Sequence, residues 1–175
     1  MKLFIPKLFT LIYRTLYKKV NMVAYCKSRG MKIGKGTNLK NSVNISTEPY
    51  LISIGDDCKI TAHVNFLTHD GGPWVFRKEY PGLDIIKPIS VGNNVYIGLG
   101  ATLMPGVSVG NNCVIAAMAV VTKDIPDNSV VAGVPARVVK DLSAYKEKCL
   151  RDTLNLKGYS AEQKKQRLIK TYPQK

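Results

Sequence analysis

Aliphatic side chains recur along this chain at a step of six. Ile33, Leu39 and Ile45 are spaced so, as are Ile54, Ile60 and Phe66. After an interruption the step runs unbroken through Val91, Ile97, Leu103, Val109, Ile115 and Val121. With about a third of residues of this type, such a register arises by chance on the order of once in a million. The neighbouring columns agree. Glycine often follows the aliphatic residue, at Gly34, Gly55, Gly92, Gly98 and Gly110. Three places after it stand residues that tolerate a positive φ: Gly36, Asp57, Asn94, Gly100, Gly106, Asn112 and Asp124. Four places after it comes a small or branched residue such as Thr37, Cys58, Val64, Val95, Ala101, Cys113 or Ala119. The pattern is strand, corner, strand; neither a helical period nor plain alternation fits it. A mainly β fold, the parallel β-helix, does: each side of a coil buries one aliphatic residue and neighbouring coils stack their strands.

Regularity of this kind is structural, so function is expected where it breaks. Between Ile45 and Ile54 three extra residues enter, within Ser46 to Ser53. Between Phe66 and Val91 the register is lost, and a loop over 71–88 must leave the coil, carrying Trp74, Phe76 and Tyr80 among glycines and prolines. An aromatic-bearing excursion of that length on a solenoid is a candidate binding element. His69 stands at its mouth. The other histidine, His63, also falls in the fourth place of a hexapeptide, where a corner that tolerates positive φ explains it without chemistry.

Charge adds a second layer. The net charge is +14, yet the first acidic residue is Glu48, after ten Lys and Arg. From Glu48 to Ala136 the balance is mildly acidic, and the tail is basic again, so the cations sit on the flanks. Basic flanks suit an anionic membrane surface or a phosphorylated small molecule. No nucleic-acid motif accompanies them, and a nucleic-acid partner is not expected. Cys26, Cys58, Cys113 and Cys149 lie far apart with no metal-ligand spacing, which reads as free thiols in a reducing cytosol and no metal site. No signal peptide or spanning helix is legible, because Lys2, Lys7, Arg14, Lys18 and Lys19 interrupt the apolar N-terminal stretch.

The hexapeptides IGKGTN, IGDDCK, VGNNVY, IGLGAT and VGNNCV resemble the repeats of left-handed parallel β-helix acyltransferases. The run GLGATLMPGVSVGNNCVIAAMAVVTKDIPDNSVVAGVPARVV resembles the C-terminal half of the maltose, galactoside and capsule or lipopolysaccharide O-acetyltransferases. The resemblance covers about residues 31–140. It implies three hexapeptides per triangular coil, acetyl-CoA as acyl donor, a homotrimer with CoA between subunits, and a histidine at the mouth of the loop as general base. His69 holds that place. A saccharide hydroxyl is a poor nucleophile near neutral pH, and an imidazole can take its proton as the oxygen attacks and return it to the departing thiolate. A backbone N–H at a glycine-containing corner is the expected oxyanion donor. A covalent acyl-cysteine is disfavoured, since Cys58 and Cys113 fall in the packed corner column and Cys26 and Cys149 lie outside the repeat.

With three hexapeptides per coil, Glu48 lies one rung below His69, where a carboxylate orients the imidazole or binds an acceptor hydroxyl. Asp70 is the competing partner, and Trp74 of the loop joins Glu48 and Asp70 as acceptor-binding candidates. The resemblance further implies that the backbone at Leu99 and Ala117 lines the pantetheine arm. It puts Thr122 and Lys123 at the pantetheine end or phosphates, and Arg137 and Lys140 at the 3′-phosphoadenosine, cations suited to a polyanion. Two departures matter. Ala116-Ala117-Met118 replaces a usual glycine-rich triplet, which narrows the groove, and Tyr96 replaces a common Trp, which weakens any transfer of acceptor specificity.

The flanks complete a three-part division: residues 1–30, the β-helix over 31–140, and 141–175. Leu3 to about Lys27 reads as an amphipathic helix that caps the first coil or lies on an anionic bilayer at the inner face of the membrane. Leu142 to about Leu156 and Ala161 to about Tyr172 read as helices, the latter N-capped by Ser160. Acetyl transfer to a glycan hydroxyl, as for a cell-surface polysaccharide precursor, is the leading function. A serine or antibiotic hydroxyl, an amino-sugar nitrogen, or a non-catalytic scaffold are the alternatives. A γ-type carbonic anhydrase, built on the same fold, needs three histidine ligands, which His63 and His69 do not supply.

Overall fold

The computed structural model describes residues 21–173. The chain divides into two compact units, Met1–Tyr145 and Lys146–Lys175. The first is a parallel β-helix. Among the described residues it begins with a short helix, α1 (Met22–Ser28), followed by β1 (Lys32–Ile33) and β2 (Asn38–Leu39). A 3₁₀ turn at Pro49–Leu51 leads to β3 (Ile52–Ile54), β4 (Lys59–Ile60) and β5 (Asn65–Phe66). The loop then contributes β6 (His69–Asp70), a 3₁₀ turn at Gly72–Phe76 and β7 (Ile85–Ile86). The coil resumes with β8 (Ile89–Val91), β9 (Tyr96–Ile97), β10 (Thr102–Leu103), β11 (Ser108–Val109), β12 (Val114–Ile115) and β13 (Val120–Val121). It ends with β14 (Ser129–Ala132) and β15 (Arg137–Asp141).

Three faces result. The first stacks β1, β3, β8 and β11; the second β2, β4, β9, β12 and β14; the third β5, β10 and β13. Pairing within them is parallel and in register, as in Lys32↔Ser53, Lys59↔Tyr96 and Thr102↔Val120. Asn44 adds a parallel bridge to Asn65 on the third face. The twelve repeat positions are all buried, none more than 8 % exposed. Each such side chain contributes about 1.5–3 kcal/mol by leaving water, so the register itself carries the stability of the stack. Cys58 and Cys113 are buried at corners, as the small column requires, and burial pushes both thiols up.

The corner between the first and second faces is closed by its own side chains. Lys35 N–H donates to Asp56 Oδ1 (2.7 Å), Asp56 N–H to Asn93 Oδ1 (2.8 Å), Asn93 N–H to Asn111 Oδ1 (2.8 Å) and Asn111 N–H to Asp127 Oδ1 (2.7 Å). This ladder explains the glycine column: a Cβ on Gly55 would meet Asn93 Oδ1 and lie 2.7 Å from Gly92 O. Its rungs also measure the coils, separated by 21, 37, 18 and 16 residues in turn. The value of 18 is the regular coil. The longer ones hold the Pro49–Leu51 turn and the loop.

The last, shortened coil corrects one expectation. Ile125 already bridges to Val109, so the corner after Val121 has lost two residues and Asp124 does not adopt a positive φ. Its carboxylate instead accepts the Ser108 N–H at 2.8 Å. The other six residues expected at positive φ adopt it, and His63 joins them at 58°. At the N-terminal end, the helix expected from Leu3 to Lys27 is not one element where it is described. Asn21 is extended and caps α1, its side chain accepting from Ala24 N–H; the helix expected over the preceding residues falls outside the described residues. Met22 and Cys26 of α1 are buried in the core of the first coil. Before the expected C-terminal helices, β14 folds back antiparallel into β15. A helix, α2 (Leu142–Asp152), follows. In the second unit, α3 (Ala161–Thr171) has the expected Ser160 cap, completed by Gln163 into a capping box.

Candidate active site

The site is built where the coil breaks. Phe66 anchors β5 in the core, and two residues later Thr68 is fully buried. The chain then runs on extended as β6, because β7 returns antiparallel beside it with His69↔Ile86 and Lys87 N–H donating to Thr68 O (2.8 Å). This corrects the expectation that His69 sits at a corner like His63. The returning strand holds its backbone straight and leaves the side chain 44 % exposed.

One coil below, the three extra residues turn the chain so that Ser46, Thr47 and Glu48 meet the imidazole. Nδ1 of His69 lies 3.4 Å from Glu48 Oε2, 3.4 Å from Thr47 Oγ1 and 3.3 Å from Ser46 Oγ. Thr68 Oγ1 donates to Glu48 Oε2 at 2.6 Å and Thr47 Oγ1 donates to Glu48 Oε1 at 2.5 Å. The Thr47 hydroxyl lowers the Glu48 pKa most, followed by Thr68 and then His69. Glu48 is therefore an anion at neutral pH, able only to accept.

The tautomer follows by counting protons. Thr47 has one hydroxyl hydrogen, and Glu48 receives it. Thr47 and Glu48 thus both present acceptors to Nδ1, which favours the tautomer that carries the hydrogen there, with the Ser46 hydroxyl able to accept as well. Nε2 then holds the lone pair, and among the described residues it has no partner. Asp70 does not compete: its Oδ1 accepts the Gly72 N–H at 2.8 Å and starts the turn into the loop. Thr47, Thr68 and Ser46 were missed by the sequence reading, though the extra residues before Ile54 flagged the segment.

The remaining candidates divide between the edges of the third face. His69 and Glu48 stand on the edge leading to the first face, as do Thr122 and Lys123, both exposed. Leu99 and Ala117 stand on the opposite edge, at the corner between the second and third faces, with Leu99 50 % exposed. Beyond the first coil, where Asn41 holds the column and Ser42 Oγ accepts the His63 N–H at 3.1 Å, that corner has no side-chain ladder, because Ala62, Leu99 and Ala117 occupy the column that Asp and Asn hold on the first corner. The N–H groups of these three have no acceptor among the described residues, while the carbonyls of Ala62 and Leu99 accept from Gly100 and Met118. The corner is also tight: a Cβ on Gly98 would meet Ala117 N and lie 2.7 Å from Ala116 C. Arg137 and Lys140 project from β15, exposed. Trp74 in the loop is 75 % exposed.

Residues 88–123 match the family described as bacterial transferase hexapeptide (six repeats). The protein CapG of Staphylococcus aureus is 43 % identical over 146 residues, covering 82 % of this chain and 84 % of CapG. The chain belongs to the bacterial hexapeptide-repeat transferases. The galactoside O-acetyltransferase of Escherichia coli strain K12 is 39 % identical over 117 residues, 66 % of this chain and 57 % of that enzyme. Among solved structures, a hexapeptide-repeat acetyltransferase of Vibrio cholerae complexed with acetyl-coenzyme A superposes with a TM-score of 0.61. It is 24 % identical and covers 74 % of this chain and 83 % of its own, a likeness of fold. The β-helix is thus the left-handed one of this family, and the chain is an acetyltransferase.

Proposed function

We propose that this acetyltransferase moves an acetyl group from acetyl-CoA to a hydroxyl of a saccharide, with His69 as general base. One observation carries the reading: an imidazole whose Nδ1 faces the Glu48 carboxylate and whose Nε2 is open at the mouth of the loop. Nε2 takes the proton of the acceptor hydroxyl as its oxygen attacks the thioester carbonyl, and the proton then passes to the leaving thiolate. Glu48 stabilises the imidazolium formed in between, as a buried acidic partner does in other acyl-transfer sites. The saccharide class is that of the galactoside O-acetyltransferase relative, and a cell-surface polysaccharide precursor is the acceptor we favour.

The pantetheine arm runs along the apolar corner, where the unpaired N–H groups of Leu99 and Ala117 offer donors to its amides. Thr122 and Lys123 meet the pantetheine end or phosphates of CoA, and Arg137 and Lys140 face its 3′-phosphoadenosine. Since His69 and this corner lie on opposite edges of one face, a site using both draws on two copies of the chain, which supports a homotrimer. Among the described residues no helix is long and apolar enough to cross a membrane. The basic residues before Thr47 support a cytoplasmic protein with weak, salt-sensitive docking on anionic bilayer. The three-part division at residues 30 and 140, with 71–88 inserted, belongs to the same proposal.

The test is thiol release from acetyl-CoA across a panel of saccharide, serine and amine acceptors. Saccharide-dependent release that is lost in His69→Asn supports the reading. Release driven equally by amines, or insensitive to His69, contradicts it. Sedimentation of an active monomer contradicts the trimer, and absence from pelleted anionic vesicles at low salt contradicts the membrane docking.

A further inference from the structure

The loop carries charge that the transfer chemistry does not use. Trp74, Val75, Arg77 and Lys78 line an open cleft of about 550 Å³ on the 3₁₀ turn that follows His69 and its strand. Two apolar surfaces there are bare, Trp74 at 75 % and Val75 at 74 % exposure. Neither Arg77 nor Lys78 forms an ion pair among the described residues, and the loop's acidic residues Glu79 and Asp84 do not line the cleft. An exposed indole offers a flat apolar face to the C–H surface of a sugar ring. Two unpaired cations beside it select for negative charge, the guanidinium pairing with a carboxylate or phosphate through two parallel N–H donors.

We propose that this cleft selects an anionic saccharide, one bearing a carboxylate or phosphate, with Trp74 stacking on the ring and Arg77 and Lys78 receiving the anion. The proposal rests on the saccharide acetyltransferase reading and adds the acceptor's charge class. Trp74 is the only tryptophan of the chain, so its emission reports on this cleft alone and without turnover.

The experiment titrates the full-length protein with methyl β-D-galactoside, galactose 1-phosphate and methyl galacturonoside while Trp74 fluorescence is followed. At least one of the two anions should half-saturate the change at a concentration about tenfold or more below the neutral glycoside, and which one does identifies phosphate or carboxylate as the source. The double variant Arg77→Gln with Lys78→Gln should bring the anion's half-saturation up to that of the neutral sugar. Lys164→Gln with Lys165→Gln, which removes the same charge from α3, should leave the preference intact; losing it there would mean that net charge, not the cleft, selects. Equal half-saturation for all three sugars, or no response to either anion, overturns the proposal. Thiol release in parallel keeps the two readings apart: a transferase that acetylates sugars without charge preference loses the cleft proposal alone, and a protein inert toward every sugar loses the acetyltransferase reading.

Discussion

Replacing Glu48 by Gln removes one charge with almost no change of shape, and the geometry sets how much that should cost. Glu48 Oε2 holds the Thr68 hydroxyl at 2.6 Å and faces His69 Nδ1 at 3.4 Å, while Oε1 holds Thr47 at 2.5 Å. All three partners donate. A glutamine has one acceptor oxygen, so its NH₂ must turn toward at least one of these donors. Hydrogen bonds to charged groups contribute about 1.5–3 kcal/mol, which at tenfold per 1.36 kcal/mol lowers turnover by roughly 10- to 150-fold. The assay is thiol release at saturating acetyl-CoA, with KM for acetyl-CoA unchanged. The decisive arm repeats the substitution in the His69→Ala background. If Glu48 acts through the imidazole, it should cost nothing further there. A full loss in both backgrounds would refute the positioning role and leave Glu48 as a residue that binds the acceptor itself.

His69→Ala should reduce turnover by about 10² to 10⁴ and leave acetyl-CoA affinity, read by equilibrium dialysis, nearly intact. His63→Asn should change neither, because asparagine tolerates the positive φ there and the backbone N–H that donates to Ser42 Oγ remains. Gly98→Ala should destabilise by about 1–3 kcal/mol in denaturant unfolding, since the new Cβ meets the backbone of Ala116 and Ala117; an unchanged midpoint would show that the corner is less rigid than it is drawn. The Glu48 pKa is depressed in the folded chain, so its contribution to stability is full above the ordinary carboxylate value and disappears as pH falls through the folded one. The stability gap between wild type and Glu48→Gln should therefore be open at neutral pH and close in acid; a gap of constant size would contradict this.

The coil was legible because its cause is local: one aliphatic residue per side must be buried, and a step of six states this directly. The same logic made the stacking of Glu48 beneath His69 readable, since coil geometry converts sequence position into height. The details of the site were not readable in this way. Thr47 and Thr68 matter through the orientation of single hydroxyls, and no spacing rule marks a threonine as a donor to a carboxylate in the next coil. The straight backbone at His69 depends on Ile86, which pairs with it from the far end of an irregular loop. Asp124 departs from its column because two residues are missing from its corner, and this shows only once Ile125 is seen beside Val109. Asn21 starts the helix at Met22 as its side-chain cap, although the apolar periodicity of the sequence runs on across it.

A solenoid must dispose of the amides at every corner, and the three corners of this one do so differently. The first uses Asp and Asn side chains from the next coil, so its column reads as polar and its chemistry is spent on itself. The corner at Ala62, Leu99 and Ala117 has no such side chains, and exchanging them for Asp or Asn would close it by the same ladder. Leaving N–H groups open in successive coils forgoes about 0.5–1.5 kcal/mol of hydrogen bonding at each. That cost is offset when an elongated ligand with its own acceptors lies along the column. The third corner interrupts the repeat twice, first with the residues that form the Pro49–Leu51 turn and then with the loop, and His69 and Glu48 meet between the interruptions. Structural economy and the proposed site thus occupy different columns of one repeat. The same register that stacks the core sets open amides along one edge and an imidazole beside a carboxylate on the other.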